Sequence, residues 1–232
     1  MHGQAIQVDM MTKRRDISIE DWNLLNSVIL FVTTIAALYF NDIQILIITA
    51  LLSFIGFFIT QMKFLRSIKP FAGYANWVTA TRLILMLIGI SYFNGLELFA
   101  ILALVVTLDV VDGWLARRFN QQSTFGMYFD METDALYVLL VCVYLYFQGA
   151  VGVWIIIPGI LRYVYRIFIF LVPKPDFKEQ KQRYAAVIAG SFFVILLLSV
   201  AWQNKIQQVA LIVGSLAIIG SFGKSFWDYT RG

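Results

Sequence analysis

Two neighbouring stretches, Asp109-Val-Val-Asp112-Gly113-Trp-Leu-Ala116-Arg117 and Gly126-Met-Tyr-Phe-Asp130-Met-Glu-Thr-Asp134, place four aspartates in otherwise apolar surroundings. Asp109 and Asp112 are three residues apart and share one face of a helix, with Gly113 and Ala116 on or beside that face. Asp130 and Asp134 are four apart and share a face of the following helix. A short loop around Asn120–Thr124 makes the two helices antiparallel. Counted inward from Arg117 and from Gly126, both pairs reach similar depth, roughly 6–12 Å from the helix ends at about 1.5 Å per residue. Two faces with carboxylates at matched heights can converge on one point.

Outward from this pair the chain is uniformly apolar. Its 232 residues are 60% hydrophobic and only 14% charged, with a mean hydropathy of +0.76. Such a chain lacks the charged surface of a soluble domain. Runs of roughly 17–20 apolar residues recur, each long enough to cross a bilayer as a helix. They are continuous rather than alternating, which selects helices over a membrane barrel. Eight spans are expected, at Trp22–Phe40, Ile43–Thr60, Trp77–Phe93, Leu96–Arg117, Gly126–Phe147, Val151–Val172, Tyr184–Trp202 and Ile206–Phe226. The expected fold is an all-α membrane protein with a six-helix transmembrane core preceded by an N-terminal two-helix transmembrane hairpin. Residues 1–21 form an N-terminal segment, 22–70 the hairpin and a basic connector, and 71–232 the core. The hairpin holds no ionisable residue in its span interiors and turns tightly at Asn41-Asp42, so its expected role is packing or anchoring.

Charge sets the orientation. Lys13, Arg14, Arg15, Lys63, Arg66, Lys69, Arg117, Arg118, Lys174, Lys178, Lys181, Arg183, Lys224 and Arg231 all fall on the side that holds both termini. Lys205 stands alone opposite, and Arg82, Arg162 and Arg166 lie within spans. By the positive-inside rule both termini and the aspartate site face the cytoplasm. The N-terminus, lacking an apolar run directly behind its basic cluster, reads as a retained segment rather than a signal peptide. The same bias accounts for the net charge of +4, helped by anionic lipid, so no nucleic-acid partner is expected. The lone Cys142 cannot form an intrachain disulfide, and His2 is the sole histidine, so no histidine cage or triad is available.

Four clustered carboxylates repel one another unless cations join them, and hard oxygen ligands suit Mg²⁺ or Mn²⁺. Two such ions would clamp a diphosphate and its departing oxygen. Gly113 and Ala116 leave room for a ligand against the backbone, and Arg117 offers a fixed fork to a phosphate or carboxylate.

The pattern Asp-x2-Asp-Gly-x2-Ala-Arg-x8-Gly-x3-Asp-x3-Asp, carried here by Asp109, Asp112, Gly113, Ala116, Arg117, Gly126, Asp130 and Asp134, resembles the signature of the CDP-alcohol phosphatidyltransferases. Asn76, Thr79 and Arg82 keep the spacing of a second family stretch, Pro-Asn-x2-Thr-x2-Arg, with Ala75 in the place of its proline. The resemblance implies that Asp109, Asp112 and Asp130, with Asp134, hold two divalent cations, Mg²⁺ or Mn²⁺, against the diphosphate of CDP-diacylglycerol. It further implies that Asn76, Thr79, Asp112, Gly113, Ala116, Arg117 and Gly126 form the CDP pocket, with Arg82 as a further nucleotide contact, and that Asp134 takes the proton of the acceptor hydroxyl. Phosphatidyl transfer to a small polar or phosphorylated alcohol, with release of CMP, is the expected reaction. Membrane lipids surround it, and a second copy of the chain is an expected partner because homodimers are usual in the family.

Arg162 and Arg166, four apart on the sixth span, are the candidate residues for an acceptor phosphate. The alternative is that they pair with acids of the core or elsewhere. The chain lacks the Gly-Lys-x-Lys-Thr stretch associated with glycerophosphate-type members, and a basic loop holds Lys174, Lys178, Lys181 and Arg183. A transporter would also use intramembrane carboxylates, but it needs a charged path to both faces, and the outer halves of these spans are nearly uncharged. A scaffold does not explain four acids at this spacing.

Overall fold

The computed structural model describes residues 18–68, 71–119, 122–173 and 183–231, with Ser67 and Arg183 described by their backbone alone. The N-terminal basic cluster, Lys69, Asn120, Lys174, Lys178 and Lys181 lie outside these residues. Every described element is helical. Helix α1 spans Ile19–Phe40, α2 Ile43–Thr60, α3 Met62–Ser67, α4 Tyr74–Tyr92, α5 Gly95–Arg118, α6 Thr124–Phe147, α7 Ile156–Leu171, α8 Arg183–Ala201 and α9 Lys205–Arg231. Each expected span is therefore a helix, and α3 is an additional short helix inside the basic connector.

Local chemistry sets the ends. Ser18 caps α1: its hydroxyl accepts from the Asp21 N–H at 3.0 Å, and its own N–H donates to the Asp21 carboxylate at 3.2 Å. This capping box starts the helix at Ile19, ahead of its apolar run. The α1–α2 turn is tight because Asn41 adopts the left-handed conformation and Asp42 caps α2 through the Gln44 N–H at 2.8 Å. A one-turn 3₁₀ segment, Val153–Ile155, precedes α7, so the sixth span is part 3₁₀ and part α.

Seven of the long helices are long and apolar enough to cross a membrane, and with this composition the chain is an integral membrane protein. Helix α6 is the exception, because Asp130, Glu132 and Asp134 fall within its apolar length. It tolerates them because protein surrounds it. It packs against α1, α2, α4, α7 and α8, and every residue from Leu139 to Leu145 is buried.

The hairpin is welded to this central helix. Trp22 stacks on Phe57 with ring centroids 3.8 Å apart, Phe57 stacks on Phe125 at 4.6 Å, and Phe58 and Phe54 meet Phe129 edge-on. Aromatic stacks of this kind contribute about 0.5–1.5 kcal/mol each beyond their buried area. On the far side α4 packs along α5, and α8 joins α5, α6 and α9.

Candidate active site

Helix α4 supplies the centre of the site. Arg82 is buried, at 1% exposure, in the middle of an apolar helix. An unpaired guanidinium there is costly, and both terminal nitrogens of Arg82 meet acids. Its Nη1 donates to Asp112 Oδ2 at 2.7 Å and to Asp130 Oδ1 at 2.9 Å. Its Nη2 donates to Asp134 Oδ1 at 2.6 Å and lies 2.8 Å from Asp109 Oδ1. Three carboxylates thus accept directed N–H bonds from the two terminal nitrogens, and Asp109 completes the set as an ion pair. The sequence places the aspartates as two pairs at matched depth. The structure brings all four to a single cation on a third helix.

Thr79, one turn before Arg82, donates to the same Asp112 oxygen at 2.9 Å. Asp112 is the buried member of the set, and the side chains of Asp109, Asp130 and Asp134 remain between 32% and 44% exposed. The cluster is thus anchored on one side and open on the other.

A cavity of about 570 Å³ adjoins that opening, lined by residues from α4, α5 and the start of α6. Asn76, Thr79, Asp112, Gly113, Ala116, Arg117 and Gly126 are all among its walls, and Asp130 contributes as well. Its two motif glycines have different reasons. A Cβ on Gly126 would meet Asn76 Oδ1 at 2.9 Å and Ser123 Oγ at 3.2 Å, so glycine is what lets α6 begin against α4. A Cβ on Gly113 would meet only the Arg117 guanidinium, at an ordinary 3.5 Å. Its smallness serves the cavity rather than the packing.

Asp109, Asp112 and Asp130 each offer one carboxylate oxygen, and these oxygens lie within 4.8 Å of one another. That spacing fits a shared cation, and an all-oxygen donor set suits a hard divalent ion.

Comparison with known proteins supplies the family. The sequence model of the CDP-alcohol phosphatidyltransferases matches residues 72–220. The chain belongs to the CDP-alcohol phosphatidyltransferase family. Helices α4 to α8 and most of α9 lie within the family's match, and α1 to α3 precede it. A shorter similarity is to CDP-diacylglycerol–inositol 3-phosphatidyltransferase 1 of Arabidopsis thaliana, 54% identical over 43 residues, which is 18% of this chain and 19% of that protein. Another is to the probable CDP-diacylglycerol–inositol 3-phosphatidyltransferase 2 of the same organism, 46% identical over 61 residues, 25% of this chain and 27% of that protein. The aligned regions therefore span well under two thirds of those relatives.

The structure does not bring Arg162 and Arg166 to the cavity of the family's motif. Arg162 donates from Nη2 and Nε to Glu132 Oε1, at 2.6 and 3.1 Å, which is the pairing alternative that the sequence leaves open. Arg166 donates from Nη2 to the Glu20 carbonyl on α1 at 3.1 Å. The resemblance makes Arg82 a nucleotide contact, whereas the structure turns it to the four aspartates, and Glu132 as the partner of Arg162 was missed. Both carried the same signal, an ionisable group in a span that must find a partner.

Proposed function

We propose that this protein transfers the phosphatidyl group of CDP-diacylglycerol to a hydroxyl of inositol or a closely similar uncharged polyol, releasing CMP, as a step of phospholipid synthesis. The observation that carries this reading is the convergence of Asp109, Asp112, Asp130 and Asp134 beside a cavity walled by the remaining motif residues. Arg117 and Arg118 end α5 at the mouth of this region, which supports a site opening to the cytoplasmic leaflet with both termini on that side.

In this mechanism the cavity between α4 and α5 receives the cytidine and phosphates. Gly113 and Ala116 admit them to the helix backbone, and Arg117 holds a phosphate oxygen through its guanidinium. Asp109, Asp112, Asp130 and Asp134 would hold Mg²⁺ or Mn²⁺, two ions in all, whose charge neutralises the diphosphate and the departing CMP. Thr79 and Arg82 orient the carboxylates from behind. The acceptor oxygen attacks the β-phosphorus, the bond from that phosphorus to the CMP oxygen breaks, and Asp134 accepts the acceptor's proton. Alignment and charge neutralisation account for most of the acceleration, as in phosphoryl transfer generally.

Two observations favour an uncharged acceptor over a phosphorylated one. The Arabidopsis relatives are named for inositol. Arg162 and Arg166, the sequence's candidates for an acceptor phosphate, are turned towards Glu132 and α1. The test is CMP release from CDP-diacylglycerol with Mn²⁺ or Mg²⁺ across inositol, phosphorylated inositol, glycerol 3-phosphate, serine and choline. Inositol-dependent release is expected. Release with none of these acceptors overturns the reaction, and preference for a phosphorylated one overturns the acceptor.

A further inference from the structure

Glu132 lies between Asp130 and Asp134 in sequence but belongs to neither the cavity nor the Arg82 cluster. A helix turns about 100° per residue, so two residues either way carry Glu132 to the opposite side of α6. There it is buried, at 1% exposure, and its carboxylate is gripped from two helices. Asn23 Nδ2 donates to Oε1 at 2.7 Å and Asn26 Nδ2 to Oε2 at 2.9 Å, both from α1. Arg162 on α7 adds its two bonds to Oε1. Asn26 is itself fixed from α2, since its Oδ1 accepts from Ser53 Oγ at 2.7 Å. Asn23 and Asn26 are also buried and stand three apart, on one face of α1.

We propose that Glu132 is a positioning residue for the metal site, and that the N-terminal hairpin, through Asn23 and Asn26, fixes the rotation of α6 that aims Asp130 and Asp134. The proposal rests on the reading of the aspartates as metal ligands. The lever is geometric. With carboxylates carried about 5–6 Å from the helix axis, a 10° rotation of α6 displaces them by about 1 Å. Metal–oxygen distances tolerate only about 0.2 Å. Glu132 is gripped at three donor residues on two helices, so any rotation of α6 that displaces the aspartates must also stretch or break its bonds. The hairpin lies outside the residues matched by the family and still acts on the site the family shares.

The experiment measures Mn²⁺ affinity by the electron spin resonance of free Mn²⁺, on the full-length protein in nanodiscs, alongside the thermal midpoint. Wild type and Asp109→Asn come first. If wild type binds no Mn²⁺, or Asp109→Asn binds it equally well, the metal-site reading itself fails. If that reading stands, Asn23→Ala/Asn26→Ala and Glu132→Gln should each weaken Mn²⁺ roughly 10-fold or more, as supporting residues behind metal ligands do. Asp42→Ala is the control for general weakening of the hairpin. It removes the cap of α2, the bond from the Gln44 N–H to Asp42 Oδ1, at the opposite end of the hairpin from Asn23, Asn26 and Ser53, so it should lower the midpoint and leave Mn²⁺ affinity unchanged. Unchanged affinity in the folded asparagine variants overturns the proposal, and so does an equal loss in Asp42→Ala. If the double variant does not fold, the single asparagine variants, which keep the other amide and Arg162, carry the same comparison.

Discussion

Glycine-to-alanine substitutions at Gly126 and Gly113 should move stability in opposite directions. Replacing a helical glycine by alanine normally stabilises a helix by about 0.8–1 kcal/mol. At Gly113, in the interior of α5, the new methyl would meet only the Arg117 guanidinium at 3.5 Å, so that gain is kept. At Gly126 the methyl would come within 2.9 Å of Asn76 Oδ1 and 3.2 Å of Ser123 Oγ. Asn76 is buried and its Nδ2 donates to the Ala72 carbonyl at 2.7 Å, so swinging it aside forfeits a bond worth about 0.5–1.5 kcal/mol and strands a buried amide at a cost of about 1–3 kcal/mol. The alternative, shifting the first turn of α6, moves Asp130 one turn further on. Net destabilisation of about 1–2 kcal/mol is expected for Gly126→Ala, a fall in Tm of about 2–8 °C for a protein of this size. Activity should separate the two differently. Gly113→Ala keeps or raises Tm but raises KM for the CDP-linked donor, because its methyl projects into the cavity. Thermal unfolding in detergent and CMP-release kinetics give both readouts. A rise in Tm for Gly126→Ala, or an unchanged donor KM in Gly113→Ala, refutes the assignment of these two glycines.

Arg82→Lys replaces a planar fork that contacts four aspartates from two nitrogens by a single point charge on a shorter reach, so at least one aspartate loses its partner; CMP release should fall by more than 10-fold, and a fully active lysine variant would contradict the hub geometry. Arg82→Gln removes the cation altogether and should cost on the order of 3–5 kcal/mol in chelator, with Mn²⁺ restoring much of the lost Tm; the absence of metal rescue would argue against a cation site at the aspartates. Chelation of the wild-type enzyme should abolish CMP release, and Mg²⁺ or Mn²⁺ should restore it, whereas activity persisting in excess chelator would remove the metal from the mechanism. Asp134→Asn should leave Tm within a few degrees of wild type and reduce kcat by at least about 100-fold, the lower end of the usual contribution of a general base; near-normal kcat would exclude that role.

The eight spans were legible because lipid demands continuous apolar runs, and α2 begins and ends where its run does, at Ile43 and Thr60. Other ends shifted where a cap outweighed hydropathy, as at Ser18 before α1 and Ser123 before α6. The four aspartates were legible from spacing, because i+3 and i+4 place side chains on one face. What joins them was not, since Arg82 lies more than 25 residues before the first and only the packing of α4 on α5 and α6 reveals that one guanidinium reaches all four. Glu132 escaped for the opposite reason: it is so close to the aspartates in sequence that it reads as part of their stretch, and only the helical period separates it.

That separation explains why the hairpin and the core form one unit. Helix α6 carries carboxylates on two opposed faces, so neither face can be left to lipid. Helix α4 covers the first with Arg82. The second needs an arginine and further hydrogen-bond donors, because one guanidinium cannot satisfy both oxygens of a carboxylate that it meets at Oε1 alone. Helix α7 provides the arginine, and Asn23 and Asn26 on α1 provide the amides. Neutral amides fit this place better than a second cation would, since Arg162 already balances the charge of Glu132. A hairpin without ionisable residues in its span interiors can therefore complete a buried ionic site, and its two asparagines, rather than its apolar length, mark what it does for α6.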